Sequence, residues 1–192
     1  MSIADNNYIS MKNSFHEQLL TRHSIRRYIE QALNPDDVRT ILEAALLAPS
    51  GKSIRPWQFV VVDDKDKLHA LSLCRKFGSQ PIAGAAMAVV VIADPGKSDV
   101  YIEDSTIAAV FMQLQANALG LGSCWIQIRG RETPDGTSAG EYVQQQLGIP
   151  EYLKVECIVT FGYKNEERRP VDPSKLLWEK VHIESWKDNG EE

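Results

Sequence analysis

The chain has 192 residues, 43% hydrophobic and 24% charged, an ordinary globular composition that suits a single domain over residues 1–192. Its net charge of −5 argues against a nucleic-acid or acidic-membrane binder, because no overall attraction to phosphate exists. The three cysteines are widely spaced, the histidines lack metal-ligand spacing, and the N-terminus has no apolar signal core. We therefore expect a cytoplasmic protein without disulfides or a metal site, and no membrane partner.

The predicted elements begin with a helix that Asn34 caps and that ends at Pro49-Ser50-Gly51. Buried strands are predicted at 58–62, 88–93, 124–128 and 155–163, and further helices at 65–73, 105–119 and 141–147. A polar loop is predicted at 131–140. Because helices and strands do not alternate cleanly, the order favours an α+β fold, with a sheet packed by helices, over a doubly wound nucleotide fold.

The C-terminal part, residues 164–192, reads as an extension of the domain. Its first half is charged, yet Trp178 and Trp186 follow among other apolar residues. These tryptophans either fold back on their own chain or pack on a partner subunit. We favour the partner subunit, because aromatic anchors are typical of interface cores.

Three short motifs resemble known sites but lack the context that their chemistry needs. Gly51-Lys52-Ser53 follows a helix, and Leu46 stands where a phosphate-binding loop requires glycine. Gly120-Leu121-Gly122 lacks the third glycine of a dinucleotide fingerprint and ends a helix. The G-x-S-x-G pattern at 136–140 follows a loop, whereas a hydrolase nucleophile follows a strand. None of the three predicts a site.

Two segments are more specific. Residues 21–28 read T-R-H-S-I-R-R-Y, and residues 48–59 read A-P-S-G-K-S-I-R-P-W-Q-F. With the central segment 118–126 and the final segment 161–170, they resemble the nitroreductase family in order and spacing. The resemblance implies a nitroreductase-like fold, which is a central, mainly antiparallel sheet flanked by helices in an intertwined homodimer.

The resemblance also implies an activity. Members hold FMN non-covalently and pass hydride from NADH or NADPH through flavin N5 to small electrophilic acceptors such as nitroaromatics, quinones or enones. No side chain is expected to act as a catalytic group, since the cofactor carries the chemistry. Two alternatives remain open: a flavin-binding or sensing protein without turnover, and a dehalogenase or flavin-degrading relative on the same fold.

An acidic protein can hold the dianionic FMN phosphate only through local, charge-assisted hydrogen bonds. Arginine suits this role because its planar fork grips phosphate oxygens in pairs. By resemblance, the basic residue at Arg26 lies near flavin N1 and O2, where it stabilises the reduced cofactor. The residues expected to hold the phosphate are Arg22, Ser24, Arg168 and Arg169, and His23 is expected to be a further cofactor-binding residue.

The same resemblance places a second group of residues around the ring. Those expected to reach the flavin from the other subunit are Pro49, Ser50, Gly51, Ser53 and Arg55, and those expected near N5 through their backbone are Ile126, Gln127 and Ile128. The sequence departs from the usual family pattern at Ser53, Arg55 and Gln127, where asparagine, glutamine and glycine are common. Arg55 cannot accept a hydrogen bond, so an extra cation there favours an anionic substrate or the reduced flavin.

Overall fold

The computed structural model describes residues 15–186, which divide into two compact units. The smaller unit contains residues 15–21 and 169–186, with helix α1 at Phe15–Thr21. The larger unit spans Arg22–Arg168 and contains every predicted strand. No helix within residues 15–186 has the length and apolar character needed to cross a membrane.

All the predicted helices and strands are present in the larger unit. In chain order they are α2 Pro35–Leu46, β1 Trp57–Val62, α3 Lys65–Ser72, β2 Met87–Ala93, α4 Tyr101–Ala118, β3 Gly122–Gln127, α5 Ala139–Leu147 and β4 Lys154–Gly162. The side chain of Asn34 caps α2 by accepting a hydrogen bond from the Asp36 amide at 2.9 Å.

Three elements begin two or more residues before their predicted starts. Helix α4 begins at Tyr101 instead of 105, since Glu103 and Asp104 stabilise a helical first turn. Helix α5 begins inside the predicted loop, because the Ser138 side chain caps it. Strand β3 begins at Gly122, which the sequence indicated only as the end of the preceding helix.

The four strands form one sheet in the order β1-β2-β4-β3, and every neighbouring pair is antiparallel. This confirms the predicted mainly antiparallel sheet. Successive β2 side chains point to opposite faces, so Val89 packs with α2 and α4 while Val90 packs with α3 and α5. All seven β2 residues are buried, which explains why the strand is continuously apolar.

Strand β3 lies at an edge of this sheet, and the basic segment 22–28 runs across its first residues. Ser24 pairs with Ser123 in parallel, and the Ile25 amide donates to the Ser123 carbonyl at 2.9 Å. Farther along, Tyr28 pairs with Lys164 just after β4. Pairing with the sheet therefore fixes the backbone of the basic segment.

Two glycines allow this close approach. A Cβ on Gly122 would lie 2.7 Å from Cγ2 of Ile25, and one on Gly162 would lie 2.7 Å from Cδ1 of Tyr28. Both distances are well below an ordinary carbon–carbon contact of about 3.5–4.0 Å. The absence of side chains at the start of β3 and the end of β4 makes room for Ile25 and Tyr28, which are both buried.

Candidate functional site

Two of the predicted basic residues, Arg22 and Arg26, lie beside Cys124 near the start of β3. Burial raises the pKa of the Cys124 thiol, and the positive charges of Arg26 and Arg22 and a hydrogen bond with Ser24 partly offset this shift. These groups act on the thiol because the segment 22–28 is paired beside it. An acidic chain thus concentrates positive charge and a hydroxyl group at one edge of its sheet, an arrangement suited to a small anion.

Arg26 and Arg168 meet at a carboxylate that the sequence prediction did not include. Oε1 of Glu166 accepts a hydrogen bond from the Arg26 amide at 2.6 Å, and Oε2 accepts one from Nη2 of Arg168 at 3.0 Å. The Arg26 amide is the main cause of the lowered pKa of Glu166, and the charge of Arg168 adds to it. Arg169 belongs to the smaller unit.

His23 lies between Arg22 and Ser24 and contains an unusual buried atom. Its Nε2 is inaccessible to solvent and has no hydrogen-bond partner among residues 15–186. A buried imidazole nitrogen in this state loses its hydrogen bonds to water without replacement, at a cost of about 1–3 kcal/mol. A polar ligand that reached this nitrogen would remove the penalty.

A pocket of about 470 Å³ opens beside the same basic segment. Arg26 contributes to its wall, and the other lining residues are Arg27, Tyr28, Gly78, Gln80, Pro81 and Gly84. A larger cavity of about 640 Å³ lies around the end of α5 and the start of β4, and none of the predicted cofactor residues lines it. The positive charge of the basic segment therefore favours the smaller pocket over the larger cavity as the place where an anionic cofactor binds.

The open edge of β3 continues from the basic segment toward Gln127. Backbone groups alternate in direction along a strand, and the Ser123 carbonyl faces away from β4 because it accepts from Ile25. The backbone groups of Trp125 and Gln127 consequently face the same open edge. The side chains of Ile126 and Ile128 are buried in the core, and their backbone groups face β4, where the Ile128 amide donates to the Glu156 carbonyl at 3.2 Å.

The side chain of Gln127 lies along its own strand. Its Oε1 accepts a hydrogen bond from Nε1 of Trp125 at 3.0 Å, and its Nε2 donates to the Arg129 carbonyl at 3.0 Å. These two bonds engage both ends of the amide. The extra side chain at this position thereby also fixes the orientation of the Trp125 indole.

The loop 49–55 has a strained backbone. Lys52, Ser53 and Arg55 adopt left-handed conformations with φ of 51°, 56° and 52°, which are uncommon for residues other than glycine. The Arg55 amide donates to Oγ of Ser50 at 2.9 Å, which closes the loop on itself. Strain of this kind persists only where the surrounding structure imposes it, and it is concentrated at functional sites.

A buried carboxylate on α4 holds this loop in place. Oδ1 of Asp104, a residue only 2% exposed, accepts a hydrogen bond from the Gly51 amide at 2.8 Å. A Cβ on Gly51 would lie 2.7 Å from Cγ2 of Val100, so a larger residue here would have to displace the Val100 side chain. Pro49, Ser53 and Arg55 remain exposed to solvent.

The sequence prediction missed Glu166 and Asp104, which position the predicted residues without belonging to the motifs. Glu166 stands two residues before Arg168 in a run of charged residues, a pattern that also describes any solvated segment. Asp104 is part of an acidic first turn, which is common at helix N-termini. Neither signal identifies a partner about 50 or 140 residues away along the chain.

Comparison with known proteins gives consistent results. The family described as "Nitroreductase family" matches residues 19–73 and 67–163. A protein of Archaeoglobus fulgidus, provisionally named NADH dehydrogenase/NAD(P)H nitroreductase, is 34% identical over 175 residues, which cover 88% of this chain and 97% of that protein.

Solved structures extend the similarity to the whole fold. An FMN-dependent nitroreductase from Clostridium difficile R20291 is 46% identical, with a TM-score of 0.87 over 89% of this chain and 99% of that one. A structure from Bacteroides thetaiotaomicron VPI-5482, with the same provisional name as the Archaeoglobus protein, is 27% identical. Its TM-score is 0.81, and the match covers 90% of this chain and 98% of the other.

Proposed function

This chain belongs to the Nitroreductase family, and on that premise we propose that it is an FMN-dependent oxidoreductase that uses NADH or NADPH to reduce small electrophilic acceptors. The observation that carries the proposal is the pairing of Ser24 with Ser123 on β3, which brings Arg22, Ser24 and Arg26 beside Cys124. The similar structure from Clostridium difficile is named as FMN-dependent, which supports the choice of cofactor.

The residues present suit an FMN phosphate. Arg22 supplies a guanidinium group that forms no ion pair with residues 15–186, and Ser24 supplies a hydroxyl donor. The unpartnered Nε2 of His23 is a further polar group that a phosphate oxygen would satisfy. Arg168, oriented by Glu166, would add to the positive charge that a dianion requires.

The ring would extend from this phosphate site along the open edge of β3. When bound, FMN supplies the redox chemistry, because it accepts hydride from a nicotinamide and transfers it to a second substrate. Arg26 would place positive charge near the pyrimidine edge, and the backbone amide of Gln127 would donate a hydrogen bond near N5. The chain therefore contributes binding, orientation and charge, with no side chain acting as nucleophile.

We propose that the site is completed by a second copy of the chain. In the larger unit, Leu47 is 78% exposed after α2, and Val110 and Phe111 are 40% and 37% exposed on α4. In the smaller unit, Trp178 and Trp186 are 69% and 73% exposed. Exposed apolar groups of this size indicate an interface, and the strained loop 49–55 would then contact the partner's flavin.

The first experiment is the absorbance spectrum of the purified protein, followed by release of its chromophore on denaturation. The expected result is a flavin spectrum with one released FMN per chain. Steady oxidation of NADH or NADPH on addition of a quinone then separates an enzyme from a flavin-binding protein without turnover. A colourless protein that does not bind added FMN would contradict the proposal.

Arg22→Ala tests the phosphate site. Loss of charge-assisted hydrogen bonds worth about 1.5–3 kcal/mol should raise the FMN dissociation constant about 10- to 100-fold. The control is Arg39→Ala, because Arg39 is an arginine on α2 whose only described ion pair is an exposed one with Glu43 at 2.8 Å. Equal FMN affinity in the two variants would exclude Arg22 from the site.

A further inference from the structure

Glu166 places a negative charge beside Arg168, which the proposed function assigns to a dianionic phosphate, and beside Arg26, which it assigns to the pyrimidine edge of the flavin. Electrostatics alone makes such a carboxylate unfavourable for the ligand, since like charges repel. Its side chain is nevertheless only 12% exposed, and both of its oxygens accept hydrogen bonds from the basic cluster. Glu166 must therefore stabilise the site by more than its charge repels the phosphate.

The two hydrogen bonds of Glu166 join segments that are far apart in sequence. One bond, at 2.6 Å, fixes the backbone of Arg26 inside the motif segment, and the other, at 3.0 Å, fixes the guanidinium of Arg168 beyond β4. Backbone bonds reinforce the same junction, because the Asn165 amide donates to the Arg27 carbonyl at 3.0 Å. The carboxylate is thus a side-chain link between the segment that contains Arg26 and the segment that contains Arg168.

We propose that Glu166 is a positioning residue that preorganises the FMN site by holding the Arg26 backbone and the Arg168 guanidinium in place before the cofactor binds. This inference rests on the proposed function. Glu166 fixes the guanidinium of Arg168, and a side chain already held in position loses less rotamer entropy when the ligand arrives. Preorganisation of the arginines outweighs the repulsion between the carboxylate and the phosphate.

Positioning and simple electrostatics predict opposite changes in FMN affinity for Glu166→Ala. Glu166→Ala removes a negative charge, so repulsion alone would make FMN bind more tightly. Positioning requires weaker binding, and we expect a dissociation constant about tenfold higher, the scale of one lost hydrogen bond to a charged group. Glu166→Gln keeps an oxygen that accepts from the Arg26 amide, so we expect it to regain part of the lost affinity.

The assay is quenching of FMN fluorescence as apoprotein is titrated, with wild type, Glu166→Ala and Glu166→Gln compared at one salt concentration. The matched control is Glu43→Ala, which removes the carboxylate of the exposed pair with Arg39. Hydrogen exchange of the apoprotein supplies a second readout: the Arg26 amide should exchange faster in Glu166→Ala than in wild type. This readout requires no bound cofactor and also shows whether the variant remains folded elsewhere.

Each outcome has a defined meaning. Weaker binding in Glu166→Ala, partial recovery in Glu166→Gln and faster exchange at Arg26 would support positioning. Equal or tighter binding in Glu166→Ala, or unchanged exchange at Arg26, would overturn it while leaving the proposed function intact. Failure of the wild-type protein to bind FMN would overturn the proposed function and this inference with it.

Discussion

Gly122→Ala tests how the sheet positions the basic segment. The new Cβ would lie 2.7 Å from Cγ2 and 2.8 Å from Cβ of Ile25, where an unstrained contact needs about 3.5–4.0 Å. Ile25 is only 3% exposed and is branched at Cβ, so a change of rotamer gives little relief. The clash must therefore move the backbone of segment 22–28 away from β3.

That movement has a cost that can be estimated from the contacts. Overpacking of a well-packed site costs about 1–3 kcal/mol. It also strains the bond between the Ile25 amide and the Ser123 carbonyl, which is 2.9 Å long. For a chain of this size, about 2 kcal/mol corresponds to a fall of about 4–8 °C in melting temperature. Because Arg22 and Ser24 move with Ile25, FMN affinity should fall as well.

The assay is thermal unfolding of the apoprotein followed by titration with FMN. Gly140→Ala on α5 is the matched control, because the nearest atom to a Cβ built there is Oγ of Ser138 at 3.6 Å, an ordinary van der Waals contact. We expect the control to melt no lower than wild type, since alanine suits a helix better than glycine, and to bind FMN like wild type. If Gly122→Ala behaved like the control in both measurements, the argument that this glycine admits the basic segment would be wrong.

Three further predictions concern the same edge of the sheet and the core behind it. Tyr28→Phe removes a buried hydroxyl that donates to the Ile25 carbonyl at 2.6 Å and contacts Oγ1 of Thr160 at 2.8 Å. Urea unfolding should show a free energy of unfolding lower by about 1–3 kcal/mol, and an unchanged value would contradict these bonds. The pKa of Glu166 lies below its usual 4.5, so the charged carboxylate stabilises the fold above pH 4.5, and this contribution is lost as the pH falls through the lowered pKa. The difference in melting temperature between wild type and Glu166→Gln should therefore shrink on acidification. A difference that stayed constant with pH would refute the assignment. Burial raises the pKa of Cys74 to about 11 and also raises the pKa values of Cys124 and Cys157. At mildly alkaline pH, Ellman's reagent should therefore label none of these three thiols until the protein unfolds. Rapid labelling of the folded protein would show that one of them is accessible.

The sequence by itself determined most of the elements and the chemistry of the motif residues. Periodicity identified α2 and the buried strands, since an apolar face at helical spacing and a short apolar run are local properties of the chain. Asn34 could be recognised as a cap for the same reason. The basic group around Arg22 indicated an anion site, because an acidic protein has no other source of positive potential for a phosphate.

Only the tertiary structure decided how these pieces are held together. Glu166 lies 140 positions from Arg26, and Asp104 lies 53 positions from Gly51, so no local pattern indicates either contact. The need for glycine at position 122 likewise depends on Ile25, which approaches from another part of the chain. Local sequence determines which groups a segment presents, whereas orientation and partners depend on long-range packing, which the order of residues does not display.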